Sequence, residues 1–169
     1  RKNKKYHYVL VHGYWDATDF AWLLWLKKNL EEQGHTVTAL DLPNVKKPNI
    51  DEQVDFLLEN VNVDESTIFV GHSLGGNVIL KLLEKVNTKV AKVIFVDGYL
   101  RPEFKDKQRP VVEQSCDWKF DLGKIKNLSE EFVGIGDVDE TVIGLDQHKE
   151  MGDVLGARMV IVKPVLGHF

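Results

Sequence analysis

Residues 67–86 read TIFVGHSLGGNVILKLLEKV. Ile68-Phe69-Val70 is a run long enough for a buried strand. Leu74, Val78, Ile79, Leu82, Leu83 and Val86 then recur at the spacing of one helix face. Between them, Gly71-His72-Ser73-Leu74-Gly75 fits G-x-S-x-G. A strand turning sharply into a helix holds its central residue in a strained backbone conformation. Glycines on either side place no Cβ in the way of that close approach. The Ser73 hydroxyl would stand at the start of the helix, where free N–H groups and the helix dipole favour negative charge. A nucleophile and one oxyanion donor, the Leu74 N–H, thus come from one local structure. The bland alternative is a glycine-rich turn with an idle serine, and partners elsewhere in the chain decide between the two.

Working outward, residues 6–11, YHYVLV, form a first strand that runs into His12-Gly13-Tyr14-Trp15-Asp16. Gly13 lets this loop bend so that the Tyr14 amide, or less favourably that of Trp15, points into a site as a second oxyanion donor. Residues 20–33 are helical by pattern and closed by Gly34. That helix is apolar on nearly every side, and a helix buried on one face does not need both Trp22 and Trp25. Residues 35–40 alternate as a second strand, and Asp51 is placed to cap a helix with Val54, Leu57, Leu58 and Val61 on one face. After the serine unit come a strand at 90–96 ending in Asp97-Gly98, and a long aperiodic excursion at 100–128. A strand at 131–135, a helix at about 142–155 and a strand at 158–162 follow. Alternation of this kind implies a three-layer α/β/α, doubly wound, mostly parallel sheet of about six strands. The expectation is one domain over residues 1–169. The excursion, helical in part at 120–127, is then a lid or specificity segment at the active edge.

Composition narrows the function. The 22 Lys plus Arg against 26 Asp plus Glu give a net charge of −4, which supplies no general attraction to nucleic acid. Cys116 is the only cysteine, so an intramolecular disulfide and a cysteine-rich metal site are both excluded. A lone thiol and the lack of a recognisable leader lead to the expectation of a cytoplasmic protein. No apolar run reaches the ~20 residues of a membrane span.

A serine hydroxyl needs a base to take its proton, and the base needs an orienting acid. On a sheet of this type the acid and then the base follow the serine in chain order, each from a loop at the carboxyl edge of a strand. His168, preceded by Gly167 and following the last strand, has the placement of the base. His72 lies inside the turn and must point away from Ser73, and His12 ends the first strand. His7, His35 and His148 read as strand, turn and helix-surface residues. For the acid, Asp139 in the loop after residues 131–135 is preferred to Asp137 in the same loop and to Asp97.

The chain resembles the small serine hydrolases typified by retinoblastoma-binding protein 9 and the bacterial YdeN-type proteins, a compact branch of the α/β-hydrolases. The matching pieces are VLVHGYW, WLLWLKKNL, DLPN, GHSLGG, FDLGKIKN, GDVDETV and the terminal GHF, spread over the whole sequence. The resemblance implies Ser73 as nucleophile, Asp139 as acid and His168 as base. It departs from the family at Val138, which replaces the first of two aspartates, and at Glu140, which stands where the family has proline. The family continues past Gly-His-Phe into a helix that covers one sheet face. That helix is therefore expected to lie outside the sequence, which ends at Phe169.

The function these readings imply is hydrolysis of a small ester or amide through an acyl-enzyme, with no metal and no organic cofactor. The expected partner is a small-molecule substrate, without nucleic acid or membrane. Trp15, Trp22 and Trp118 are the candidates for an aromatic substrate pocket. Two alternatives stay open: a binding module that has kept the scaffold, and an acyltransferase using the same three residues. A nucleotide-binding protein is disfavoured, because the first turn has Gly13 alone and not G-x-G-x-x-G.

Overall fold

The computed structural model describes residues 4–15, 17–18, 21–105, 109–139 and 142–163. The apolar runs become six strands: β1 (His7–Val11), β2 (Thr36–Ala39), β3 (Thr67–His72), β4 (Lys92–Val96), β5 (Phe132–Asp137) and β6 (Arg158–Val162). They pair in the order β2-β1-β3-β4-β5-β6, every neighbour parallel. The helices are α1 (Ala21–Glu32), α2 (Ile50–Asn60), α3 (Leu74–Lys85), α4 (Pro110–Glu113), α5 (Leu122–Ile125) and α6 (Leu145–Leu155). Chain order reverses at β1, as in a doubly wound α/β sheet, which makes the carboxyl ends of β1 and β3 the topological switch point.

Strand alternation sorts the core into two faces. Val9, Val11, Phe69, Val93 and Phe95 face the buried sides of α2 and α3, where Val54, Leu57, Ile79 and Leu83 complete the larger core. Leu10, Ile68, Val70 and Val96 point the other way and meet α1 through Leu23. β3 is buried along its whole length, as a central strand covered on both sides must be. Beside α1 an apolar groove of about 440 Å³ runs over the sheet, bordered by Trp22, Trp25, Val70, Ile94 and Ile135. No helix among the described residues is long and apolar enough to cross a membrane.

Several element ends differ from the pattern-based expectation. The cap of α2 is Asn49, whose side chain accepts the Glu52 N–H at 3.1 Å. Asp51 instead lies in the first turn, where its charge still suits the helix dipole. Asn49→Ala is expected to cost about 1 kcal/mol, read from a urea midpoint shift with unchanged slope. β5 runs on to Asp137, held by pairing with Val162. α6 runs from Leu145 to Leu155 and is capped by Gly156, whose φ of +65° lets the Ala157 N–H reach back to the Gly152 carbonyl.

The excursion returns to the core rather than standing off it. Val112 and Ile125 are fully buried, Ser115 accepts the Ile50 N–H, and Ser129 bridges to Val90. α5, capped by Asp121, accounts for the helical part expected at 120–127. The single turn of α4, begun by Pro110, has no periodic signal in the sequence.

Candidate active site

Ser73 sits between β3 and α3 with φ +53° and ψ −119°, a left-handed-side conformation that a non-glycine residue rarely holds. Neighbouring backbone enforces it. The Ser73 N–H donates to the Val96 carbonyl at 2.9 Å, and the Ser73 carbonyl accepts the Gly76 N–H at 3.0 Å. The turn fits only because of its glycines. A Cβ on Gly75 would lie 2.2 Å from the Val11 oxygen, and one on Gly71 would lie 2.8 Å from the Gly76 nitrogen. The Ser73 side chain enters no hydrogen bond among the described residues, and the residue is only 8% exposed. The hydroxyl thus stands between β3 and α3 with no hydrogen-bond partner among the described residues.

The loop after β1 leaves the sheet at the same carboxyl edge, since β1 and β3 are parallel neighbours. His12 is buried: its Nε2 accepts the Leu42 N–H at 2.9 Å, so the ring proton sits on Nδ1, 3.0 Å from the Gly13 carbonyl. This histidine staples the β1 loop to the turn after β2 and is committed to that work. Trp15 has φ +62°, and its N–H is taken by the Val45 carbonyl at 3.2 Å. The Tyr14 and Leu74 N–H groups have no acceptor among the described residues.

β4 and β5 bring the acidic candidates to the same edge. Asp137 is fully buried at the end of β5, and its Oδ1 accepts the Asp139 N–H at 2.8 Å. Asp139 is exposed in the turn that this bond shapes. Asp97, just after β4, is fully buried at φ +52°, with its Oδ1 3.5 Å from Nε2 of His148. His168 lies outside the described residues.

His148 corrects the sequence reading. It was expected on the helix surface and is 3% exposed. It stands three residues after Leu145 and three before Met151, on the face of α6 that packs inward. That spacing is the signal by which it is recognisable.

The three tryptophans are not gathered into one pocket. Trp15 is 61% exposed, with Lys46 over its ring at 4.9 Å. Trp22 lies on the α1 side, edge-on to His72 at 5.6 Å. Trp118 packs with the opposite core, stacked on Tyr99 at 6.0 Å, and its Nε1 donates to the Glu113 carbonyl. Burial pushes the Cys116 thiol above its ordinary pKa, which disfavours the nucleophilic thiolate.

The serine hydrolase profile matches residues 8–169. The chain belongs to the serine hydrolase family. YdeN of Bacillus subtilis (strain 168) is 27% identical over 165 residues, covering 95% of this chain and 84% of that protein. Its crystal structure superposes with a TM-score of 0.87 at 26% identity, over 98% of this chain and 88% of that one. Salicylic acid-binding protein 2 of Nicotiana tabacum is 35% identical over 120 residues, 64% of this chain. Methylesterase 2 of Arabidopsis thaliana is 32% identical over 112 residues, 59% of this chain. The chain spans 45% and 41% of the length of these two plant relatives.

Proposed function

We propose that this chain hydrolyses a small carboxylic ester or amide through an acyl-enzyme formed on Ser73. The observation that carries the proposal is the strained Ser73 turn: among the described residues its hydroxyl has no hydrogen-bond partner, and the Leu74 and Tyr14 N–H groups have no acceptor. In this scheme Ser73 Oγ attacks the carbonyl carbon and His168 takes its proton. The Leu74 and Tyr14 amides receive the oxyanion. The engagement of the Trp15 amide by Val45 favours Tyr14 as the second donor. His168 passes the proton to the departing alcohol or amine, and water then releases the acid by the reverse sequence. Asp139 holds the imidazole in its working tautomer; Asp137, with Oδ1 already engaged, shapes the loop. The methylesterase among the relatives supports an ester over an amide.

A second reading, a binding module on the same scaffold, is favoured by the tobacco relative, a salicylic acid-binding protein. Stopped-flow with p-nitrophenyl acetate separates the two. The expected result is a burst of about one nitrophenolate per chain, followed by slower turnover. Asp139→Asn is expected to lower turnover by about 10⁴-fold and Asp137→Asn by far less. Absence of both burst and turnover in folded protein would favour the binding module. Product that partitions to added methanol in preference to water would favour acyl transfer.

A further inference from the structure

His148 does more than fill space. Its Nδ1 lies 2.6 Å from the Gly98 carbonyl, which can only accept, so Nδ1 carries a proton. Its Nε2 faces Asp97 Oδ1 at 3.5 Å, and both side chains are within 1% of complete burial. The ring reaches this position under β5 because residue 136 is glycine: a Cβ there would stand 3.3 Å from His148 Cδ2. A cavity of about 10 Å³ lies beside it, at the lower limit for a single water.

These contacts join two parts of the candidate site. Asp97 follows Val96, whose carbonyl accepts the Ser73 N–H. α6 follows the loop that begins at Asp137 and carries Asp139. Three further ties run parallel to the buried pair: Gln147 Nε2 to the Glu103 carbonyl, the Lys105 N–H to the Val142 carbonyl, and Arg101 to Glu150. Asp97 itself is held at φ +52°, a backbone state that aspartate and asparagine tolerate better than most residues. Strain of this kind persists where surrounding structure over-determines it, and it clusters at functional sites.

We propose that Asp97 and His148 are positioning residues: a buried clamp between the end of β4 and α6 that sets the Asp139 loop relative to Ser73. The catalytic half of this proposal rests on the hydrolase reading above; the clamp itself does not.

The test uses the full chain and three variants: H148L, D97N and, should H148L fail to fold, D97N/H148L in its place. Turnover is counted per Ser73 labelled by a fluorophosphonate, so that loss of folded protein does not register. H148L is expected to lower kcat ten- to hundredfold with KM within twofold, because small misplacements of a reacting group carry penalties of that order. D97N is expected to stay within about threefold. Its amide donates to Nε2 and asparagine accepts the positive φ, whereas an acid acting directly on the imidazole would lose far more. Amide signals of Val138, Asp139 and Val142 are expected to shift in H148L. Unmoved amide signals in H148L, or a kcat per labelled site in H148L within twofold of wild type, overturn the proposal. So does a D97N loss equal to that of H148L. Wild-type protein that takes no label overturns the hydrolase reading and its catalytic half here, and the amide spectra alone then decide the clamp.

Discussion

Ser73→Ala is expected to lower kcat/KM for an activated ester by about 10⁴-fold or more while leaving the fold intact. The size follows from what the hydroxyl does in the proposed scheme: without Oγ there is no acyl-enzyme, and only binding and the oxyanion donors remain. The selectivity follows from the structure. Both hydrogen bonds that hold the turn, to Val96 and from Gly76, are made by Ser73 backbone atoms that alanine keeps. The side chain gives up no hydrogen bond among the described residues. Stability is therefore expected to change by less than ~0.5 kcal/mol. Steady-state kinetics on p-nitrophenyl acetate together with a thermal unfolding curve checks both halves. A variant that keeps its activity would move the nucleophile elsewhere, and one that unfolds would mean the hydroxyl is structural.

Gly75→Ala is expected to destabilise the protein by about 3 kcal/mol or more, a fall in Tm of roughly 6–12 °C for a domain of this size. The added Cβ would stand 2.2 Å from the Val11 oxygen and 2.8 Å from the His12 oxygen. Both are backbone atoms, so no side chain can swing aside. Relief requires α3 to move off the end of β1, which also separates the Ser73 turn from the Tyr14 loop. Activity is thus expected to fall even in the folded fraction. Gly123→Ala is the control, since its Cβ would meet nothing nearer than Asp121 Oδ1 at 3.7 Å. Equal melting temperatures for the two variants would show that the close approach of α3 to β1 is not what the glycine serves.

The parts of the fold that were legible in the sequence are those with a strong period and a local cause. The apolar run at 67–72 and the helical spacing after it give β3 and α3 because burial of one continuous strand and one helix face leaves no other arrangement. Element ends were less legible, since they depend on which of several polar residues reaches the first turn. Asn49 wins over Asp51 because its oxygen, just outside the helix, is the one that meets the Glu52 N–H. β5 extends to Asp137 because β6 offers it a partner, which no local pattern in 131–137 records.

The site divides in the same way. The Ser73 turn is local and was readable. Asp97 beside His148 depends on two elements 51 residues apart, and a histidine in an amphipathic helix looks like a surface residue unless its place between Leu145 and Met151 is weighed. The placement of the tryptophans was hidden for a related reason. Trp22 and Trp118 are both aromatic and both sit at loops or helix starts, yet the sheet lies between them. Which face an aromatic joins is decided by the crossover it belongs to, not by its own residue type.

The most direct test of the account is the site of covalent modification by a fluorophosphonate, located by peptide mass spectrometry in the wild-type protein and in Ser73→Ala and His168→Ala. The account predicts one adduct per chain, on Ser73, absent from Ser73→Ala and strongly slowed in His168→Ala. A folded protein that takes no label, or one labelled at another residue, would contradict it.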